Sequence, residues 1–337
     1  MRPFEHNRGT DDESSEVSMA VNELRFDDRV AIVTGAGRGI GRAEALLLAE
    51  RGAAVVVNDL GGSIMGSGSE AAPANQVADE IVAAGGRAVP CTATIATPEG
   101  AVEIVDTALK HFGGIDVVIN NAGILDLTTF PNTTAEDVQR QLTVHLLGYF
   151  NVTRAAWPHM AEQGYGRIVM TTSSAGIYGM PKNAAYGAAK AGLIGLTRCL
   201  SRTGEARDIR VNAIAPGAYT RMVDTLDDAE FKAFSAATRS PTAIAPIAAV
   251  LAHEGCAVNG EIFTASSGRV ARIFIGETAG FFKADHEPED LVEQWESIMA
   301  TEGFVTPRSA AENLQLVLAT LRDAGIAVPE FSLAEID

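Results

Sequence analysis

The stretch "TGAGRGIG", residues Thr34–Gly41, decides the fold of this chain, because it joins a short apolar strand candidate to a helical segment. Glycine permits a sharp turn at Gly35, close approach of a ligand at Gly39, and tight packing of helix on strand at Gly41. The free N–H groups and positive dipole of the helix start suit a pyrophosphate. Asp59 ends the next strand candidate, eighteen residues after Gly41, where a carboxylate can bind ribose hydroxyls. The pattern therefore predicts a dinucleotide site rather than a plain tight turn.

The strand candidates share continuous apolar runs that end in glycine or polar residues, which is typical of parallel strands buried on both faces. They are "VAIVTG", "AAVVVND", "GRAVPCTAT", "GIDVVINNAG", "GRIVMTTSS" and "DIRVNAIAPG", and "GEIFTASSG" adds a last strand. Because helical segments lie between them, the sequence predicts an α/β fold with a Rossmann-type, doubly wound parallel sheet. After about residue 277 the chain becomes acidic and amphipathic, which predicts a C-terminal helical extension.

Five motifs follow one another in an order that is specific for one enzyme family. They are "TGxxxGxG" (34–41), "NNAG" (120–123), a serine at Ser173, "YxxxK" (Tyr186 and Lys190) and "PGxxxT" (216–220). Over about residues 25–270 the chain therefore resembles the short-chain dehydrogenase/reductase family. Stretches such as "SSAGIYG" and "NAIAPGAYTRM" more closely resemble the (3R)-hydroxyacyl-coenzyme A dehydrogenase branch found in peroxisomal multifunctional enzymes. This closer resemblance extends into the helical extension.

The segment "AYGAAKAG" places Tyr186 and Lys190 one helical turn apart among small residues. The family resemblance implies oxidation of a secondary alcohol, with Tyr186 as the general base that removes the hydroxyl proton. A phenol titrates near ~10, so we expect Lys190 to lower the pKa of Tyr186 and also to bind the nicotinamide ribose. Ser173 is expected to hydrogen-bond the reacting oxygen, and its spacing from Tyr186 favours it over the adjacent Ser174.

A histidine, His145 in "VHLLGYF", stands where many members of this family have asparagine. One interpretation is a helix histidine bonded to a backbone carbonyl. The alternative is a catalytic relay, because an unperturbed imidazole with a pKa near ~6.5 exchanges protons at neutral pH. Both interpretations stay open at the level of the sequence.

The resemblance also implies the residues that bind the cofactor. They are Gly35, Arg38, Gly39, Ile40, Gly41, Asp59, Thr94, Asn121, Ala122, Gly123, Tyr186, Lys190, Pro216, Gly217 and Thr220. Thr94 stands where the family often has an adenine-contacting aspartate, so the specificity of this contact is reduced. Asp59 predicts NAD as the cofactor, because a carboxylate accepts the ribose diol and repels a 2′-phosphate, although Arg38 is a countersignal.

Residues 61–75, "GGSIMGSGSEAAPAN", form a glycine- and serine-rich insertion after the second strand candidate. This composition predicts a flexible surface loop. The alternative is a flap over the adenosine end of the cofactor.

The net charge of −17 is concentrated at the two ends of the chain. Residues 1–28 carry −5 and residues 277–337 carry −10, so the central part is close to neutral. This distribution argues against binding of nucleic acid or of an anionic membrane.

The absence of a long apolar run or signal pattern predicts a cytoplasmic protein. The scattered Cys91, Cys199 and Cys256 predict reduced core thiols, and the histidine spacing predicts no metal site.

Three regions are predicted: a disordered acidic tail over 1–25, a dinucleotide-binding catalytic domain over 26–276, and the helical extension over 277–337. Relatives pair through helices equivalent to those around 135–163 and 184–206, so we expect a homodimer or homotetramer.

The extension carries two apolar stripes at helical spacing, which need a cover. They are Leu291, Trp295, Ile298 and Met299, followed by Leu314, Leu316, Val317 and Leu321. The stripes pack on their own domain or on a partner subunit, or the extension also borders the substrate entrance. The bases expected near the rim of the site, for the phosphates of a coenzyme A substrate, are Lys182, Arg221, Lys232 and Arg239.

The resemblance implies an NAD-dependent (3R)-3-hydroxyacyl-coenzyme A dehydrogenase with a small-molecule substrate. Because the same fold serves many alcohols, a hydroxysteroid or alicyclic (terpenoid) alcohol dehydrogenase is the second hypothesis. A third hypothesis, from another class, is a nucleotide-sensing protein that has lost catalysis.

Overall fold

The computed structural model describes residues 23–63, 65, 68–224 and 228–328. The predicted disordered tail lies outside the described residues except for residues 23–25. The last nine residues of the predicted extension, 329–337, also lie outside them. The domain boundaries proposed at residues 25 and 276 stay predictions.

One sheet organises the described part of the chain. Its strands are β1 (Val30–Thr34), β2 (Ala54–Asn58), β3 (Arg87–Cys91), β4 (Val117–Asn120), β5 (Gly166–Thr171), β6 (Ile209–Gly217), β7 (Ile262–Ser266) and β8 (Arg269–Ile273). The order is β3-β2-β1-β4-β5-β6-β7-β8, and every neighbouring pair from β3 to β7 is parallel. The strand order reverses direction between β1 and β4, which opens a crevice at the carboxyl ends of these strands. The predicted doubly wound α/β fold is confirmed.

The last strand, β8, was not predicted from the sequence. It pairs antiparallel with β7, and the two strands are joined by Ser267 and Gly268 alone. Both residues have positive φ, 51° and 79°, which is the backbone of a tight two-residue hairpin turn. The chain therefore turns back on itself along the edge of the sheet before the extension begins.

Helices cover both faces of the sheet. They are α1 (Gly39–Glu50), α2 (Ala72–Ala83), α3 (Pro98–Phe112), α4 (Ala135–Leu142), α5 (Gly148–Gln163), α6 (Ser174–Tyr178), α7 (Ala184–Gly204), α8 (Arg221–Asp224), α9 (Ala229–Thr238) and α10 (Ala245–Ala252). One apolar core contains residues of α1, α2 and α10, and the other contains residues of α3, α5 and α7. The fully buried strands β1, β2, β4 and β5 therefore pack between two helical layers, as continuous apolar runs predict, whereas β3 and β8 at the edges of the sheet are largely half-buried or exposed.

The extension consists of α11 (Pro288–Glu293), α12 (Trp295–Met299) and α13 (Ala310–Asp323). Its contacts with the sheet domain include stacked Phe274 and Phe304 rings, 5.3 Å apart, and a hydrogen bond from Arg198 to the Pro307 carbonyl. The first predicted stripe is divided between two short helices. Trp295 is 58% exposed, so within the described chain the stripe is not fully covered. These exposed apolar side chains leave a partner subunit as the expected cover.

Cys91 and Cys256 are buried free thiols, whereas Cys199 is exposed on α7. The prediction of a core thiol is therefore wrong for Cys199, because its position on the helix faces away from the sheet. No described helix combines the length and the apolar character needed to cross a bilayer. Within the described ranges, no three histidine, cysteine or acidic side chains come together as a metal site.

Candidate active site

The glycine turn lies where β1 and β4 end side by side. The Thr34 hydroxyl accepts hydrogen bonds from the backbone N–H groups of Asn121 and Ala122, at 3.0 and 3.1 Å. Gly35 has a φ of 67°, and a Cβ there would lie 2.7 Å from the Ala122 Cα. A Cβ on Gly41 would lie 2.4 Å from Asn121 Nδ2. The two strand ends can therefore meet only because these positions are glycine.

Asp59 directly follows β2 and binds two backbone segments at once. Its Oδ2 accepts a hydrogen bond from Gly37 N at 2.9 Å, and its Oδ1 accepts one from Gly61 N at 2.7 Å. Gly37 was not singled out from the sequence, yet a Cβ there would lie 2.7 Å from Asp59 Oδ2. The carboxylate thus fixes the glycine turn to the start of the insertion and still has lone pairs for a ligand.

Two guanidinium groups accompany this carboxylate. Arg221 Nη1 donates to the Gly62 carbonyl at 3.2 Å, so it connects the insertion with the start of α8. Burial and the nearby Arg38 guanidinium lower the pKa of Arg221, whereas Asp59 raises it. Of the four predicted rim bases, Arg221 is the one that lines the cavity described next. Gly62 and Ser63 of the insertion also border this cavity, whereas its last four residues, 72–75, belong to the first turn of α2 and not to a loop.

A cavity of about 500 Å³ extends from this end of the molecule to the start of α7. Its walls include most of the predicted site residues: Gly35, Arg38, Gly39, Ile40, Asp59, Thr94, Asn121, Ala122, Gly123, His145, Ser173, Tyr186, Lys190, Pro216 and Thr220. Gly41, predicted to allow close packing of helix on strand, and Gly217 lie outside the walls, and their assignment to the cofactor site stays a prediction. Gly41 packs beneath the turn, and a Cβ on Gly217 would meet the Ser266 hydroxyl at 2.5 Å.

Ser173 and Tyr186 lie at the starts of two successive helices after β5, α6 and α7. Ser173 caps the N-terminus of α6, where its hydroxyl accepts a hydrogen bond from Ala175 N at 3.2 Å. Burial raises the pKa of Tyr186, and a hydrogen bond with the Ser173 side chain lowers it by a smaller amount. Ser174 is exposed as the first residue of α6. The structure thus joins Ser173, not Ser174, to the phenol.

Lys190 lies inside the protein, with its ammonium fixed by two oxygens. Its Nζ donates to the Thr171 carbonyl at 2.5 Å and to the Tyr149 hydroxyl at 3.2 Å. The Nζ is 5.8 Å from the centre of the Tyr186 ring. Burial lowers the pKa of Lys190 to about 7. The predicted effect of Lys190 on the pKa of Tyr186 is not found, because burial of the phenol dominates.

Tyr149 was missed from the sequence, although it follows His145 by four residues on the same stretch of helix. It is completely buried at the start of α5. Burial, and then Tyr186, raise the pKa of Tyr149 well above its usual value, so its hydroxyl stays protonated. Its function in the geometry is to accept a hydrogen bond from Lys190.

His145 lies in a single π-helical turn, Thr143–Leu147, between α4 and α5. Its Nε2 is 2.8 Å from the Ile124 carbonyl, and its ring meets the Tyr186 ring edge-on at 4.9 Å. Burial and the Lys190 charge lower the pKa of His145 well below its usual value. The carbonyl-bonded geometry is therefore present, while the near-neutral pKa assumed for a relay is wrong. Gly123 allows this position, since a Cβ there would lie 2.7 Å from the His145 ring.

Two further predicted residues have polar contacts within the protein. The Thr94 hydroxyl accepts a hydrogen bond from Ala96 N at 3.1 Å, and it lines the cavity near the end of β3. Asn121 Nδ2 donates to the Thr34 carbonyl at 3.0 Å. Asn121 therefore holds the glycine turn through its side chain, in addition to bordering the cavity.

Part of the cavity wall is apolar and is formed by Ile124, Leu125, Leu127, Val144, Met180 and Val223. The residues that line the cavity all lie between Gly35 and Val223. The described part of the extension thus contributes nothing to the cavity of its own chain, so the hypothesis that it borders the substrate entrance finds no support within one subunit.

A comparison with family models matches residues 29–230 to the short chain dehydrogenase family. The chain is 40% identical over 298 residues to peroxisomal multifunctional enzyme A of Dictyostelium discoideum. The aligned region covers 88% of this chain and 66% of that protein. It is 38% identical to a 3-oxoacyl-[acyl-carrier-protein] reductase of Synechocystis, over 72% of this chain and 97% of the reductase.

Two solved structures have the same fold. Full-length peroxisomal multifunctional enzyme type 2 of Drosophila melanogaster superposes with a TM-score of 0.73 at 32% identity, over 89% of this chain and 50% of the enzyme. A 7α-hydroxysteroid dehydrogenase, complexed with NADH and 7-oxo glycochenodeoxycholic acid, has a TM-score of 0.65 at 31% identity, over 73% of this chain and 95% of that enzyme. The chain thus spans about half of the multifunctional enzyme that it resembles in structure.

Proposed function

Because this chain belongs to the short-chain dehydrogenase family, we propose that it is an NAD-dependent enzyme that interconverts (3R)-3-hydroxyacyl-coenzyme A and 3-oxoacyl-coenzyme A. One observation carries the proposal. Ser173, Tyr186 and Lys190 line the same cavity as the glycine turn and Asp59. A group that exchanges protons with a hydroxyl therefore lies beside a site suited to a dinucleotide.

The residues present fit a nicotinamide dinucleotide. Gly39, with a φ of 58°, has no side chain between the cavity and the start of α1, so backbone N–H groups can receive the pyrophosphate. Asp59 can accept hydrogen bonds from the adenosine ribose. The ammonium of Lys190 has three N–H donors, of which the protein uses two, so one remains for the nicotinamide ribose. When bound, NAD supplies the acceptor for the hydride that leaves the carbinol carbon.

The remaining chemistry belongs to the side chains of this chain. In oxidation the Tyr186 oxygen receives the hydroxyl proton of the substrate, and in reduction it returns that proton. The Ser173 hydroxyl orients the reacting oxygen toward the phenol. Since burial raises the pKa of Tyr186, the phenol is protonated at neutral pH, which favours its action as a proton donor to a ketone.

The substrate class rests on the cavity and on the relatives. The apolar cavity walls suit an acyl chain, and one relative is named 3-oxoacyl-[acyl-carrier-protein] reductase. The solved hydroxysteroid dehydrogenase keeps a steroid or alicyclic alcohol as the second candidate. A nucleotide-sensing protein without catalysis is the third candidate, and the complete set of Ser173, Tyr186 and Lys190 argues against it.

The test is a turnover screen with 3-hydroxyacyl-coenzyme A, hydroxysteroid and alicyclic alcohols, each with NAD and NADP. We expect the highest kcat/KM for the acyl thioester with NAD, and a loss of about 10²–10⁴-fold in Tyr186→Phe. Tyr178→Phe is the matched control, because Tyr178 is 72% exposed and lies outside the cavity walls. A higher efficiency with NADP would contradict the proposed cofactor, and turnover of steroids alone would contradict the proposed substrate.

The cellular location stays a prediction. The sequence predicts a cytoplasmic protein, whereas the word peroxisomal occurs in the names of the multifunctional relatives. Imaging of the tagged full-length protein in its own cells distinguishes the two.

A further inference from the structure

Asn183, directly before α7, adopts a backbone conformation that is uncommon for a residue with a side chain. Its φ is 76° and its ψ is 40°, in the left-handed region. The conformation is fixed from both sides, because Asn183 N donates to the Thr128 carbonyl at 3.0 Å and its own carbonyl accepts from Gly187 N at 2.9 Å. Asparagine tolerates this region better than most residues, but glycine would adopt it at lower cost. The backbone alone therefore does not explain an asparagine here.

The side chain of Asn183 does not explain the choice through contacts within the protein either. The residue is only 5% exposed, and its carboxamide does not cap the helix. Among the described residues, no hydrogen bond to this carboxamide is present, although it lines the same cavity as Tyr186 and Ser173. The amide atoms of Asn183 are not among the enclosed polar atoms that lack a partner, so the carboxamide opens onto the cavity. A ligand that excludes water from this carboxamide has to supply its hydrogen-bond partner, since leaving it unpaired is costly.

The position of Asn183 indicates which part of a ligand it meets. It precedes Tyr186 by three residues, and both line the cavity together with apolar side chains such as Met180 and Leu127. The oxygen that reacts is held by Tyr186 and Ser173. A 3-hydroxyacyl thioester has a second oxygen, the thioester carbonyl, two carbons away from the reacting carbon, whereas a simple secondary alcohol has none.

We propose that the Asn183 carboxamide is a substrate-binding group that donates a hydrogen bond from Nδ2 to the thioester carbonyl. It thereby selects 3-hydroxyacyl and 3-oxoacyl thioesters over alcohols with a single oxygen. This inference rests on the proposed function, since it assigns a recognition group for the same substrate class. A substrate-binding function also explains why position 183 is asparagine, although glycine would adopt the left-handed backbone with less strain.

The test compares two substrates in two variants of the full-length protein. The substrates are a (3R)-3-hydroxyacyl pantetheine thioester and a secondary alcohol of matched chain length without the thioester. Asn183→Gly removes the carboxamide and suits the left-handed backbone, and Asn183→Asp keeps the shape but replaces the N–H donor by an acceptor. Asn132→Gly and Asn132→Asp are the controls, because Asn132 is exposed in the short turn Phe130–Asn132 and lies outside the cavity walls.

For both Asn183 variants we expect kcat/KM for the thioester to fall by roughly tenfold, mainly through KM, as for one lost hydrogen bond. The kcat/KM for the simple alcohol and the affinity for NAD should stay within about twofold of the wild-type values. The melting temperature should stay within a few degrees of that of the wild type. Equal losses on both substrates would assign Asn183 a purely structural function and overturn the inference. If the wild type oxidises simple alcohols but no thioester, the proposed function itself fails, whatever the variants do.

Discussion

Lys190 has a buried ammonium group, and burial lowers its pKa to about 7. The unfolded chain keeps this group protonated up to its ordinary pKa, so it binds more protons than the folded state between these two values. Stability therefore rises with pH over that window and is lower below pH 7. We expect Lys190→Met to raise the melting temperature at pH 6, and this gain to shrink as the pH increases to 9.

The same variant should lose about 10²-fold or more in kcat/KM, because Lys190 also binds the cofactor in the proposed mechanism. Thermal unfolding at pH 6 and pH 9, together with steady-state kinetics, checks both effects. A gain in stability that is independent of pH would show that the Lys190 ammonium is not buried as described.

His145 should act as a neutral hydrogen-bonding group rather than as a proton relay. Burial and the Lys190 charge lower its pKa well below neutrality, and its Nε2 is bonded to the Ile124 carbonyl. An asparagine can form the same bond, so we expect His145→Asn to keep kcat/KM within about tenfold and to leave the shape of the pH–rate profile unchanged. Loss of one limb of that profile in the variant would establish the relay.

At the scale of single elements, helix α1 contains a buried acid that the mechanism does not use. Glu44 is 2% exposed, and its Oε2 has no hydrogen-bond partner among the described residues. Burial raises the pKa of Glu44 to about 8. The folded state therefore keeps a proton that the unfolded chain releases at its ordinary acidic pKa. Stability is lost as the pH rises from that value through about 8.

We expect Glu44→Gln to stabilise the protein, with a gain that grows from pH 5 to pH 8. Each kcal/mol gained should raise the melting temperature by roughly 2–4 °C. Glu50→Gln is the matched control, because Glu50 is exposed on the same helix. Melting curves at the two pH values decide the matter. A gain that is equal at both, or no gain beyond that of the control, would contradict the buried state of Glu44.

At the scale of the whole molecule, exposed apolar side chains occur in two separate places. The first is α5 and the turn before it, where Leu147 and Phe150 are 46% and 44% exposed. The second is the extension, where Trp295 and Met299 are 58% and 61% exposed. Apolar side chains in contiguous exposed groups mark subunit contacts more often than solvent surface. A homodimer or homotetramer would cover them.

We expect light scattering of the full-length protein at micromolar concentration to give the mass of a dimer or tetramer. The pair Leu147→Asp and Phe150→Asp should lower that mass, because buried unpaired carboxylates are costly in an apolar interface. Val102→Asp is the control, since Val102 is similarly exposed but lies on α3. A wild-type protein that is monomeric under these conditions would contradict the prediction.

The fold was determined by the sequence itself. Apolar runs alternate with helical segments, and this local pattern leads to parallel strands covered on both faces. The glycine turn is equally local, since Gly35 and Gly39 adopt the positive φ that their lack of a side chain permits. The motif order that resembles the family was also sufficient to predict Ser173, Tyr186 and Lys190 as members of one site, and all three line the same cavity.

The tertiary structure alone decided the properties that depend on burial and on contacts between distant residues. No spacing rule shows that Lys190 would be fixed by Tyr149 and the Thr171 carbonyl, or that burial would raise the pKa of Tyr186 despite the nearby lysine. The same holds for Asn183, whose left-handed backbone and unpaired carboxamide appear only when Thr128 and the cavity are in place. Solvation and partners far along the chain set proton affinities and free hydrogen-bonding groups, and a linear pattern does not contain them.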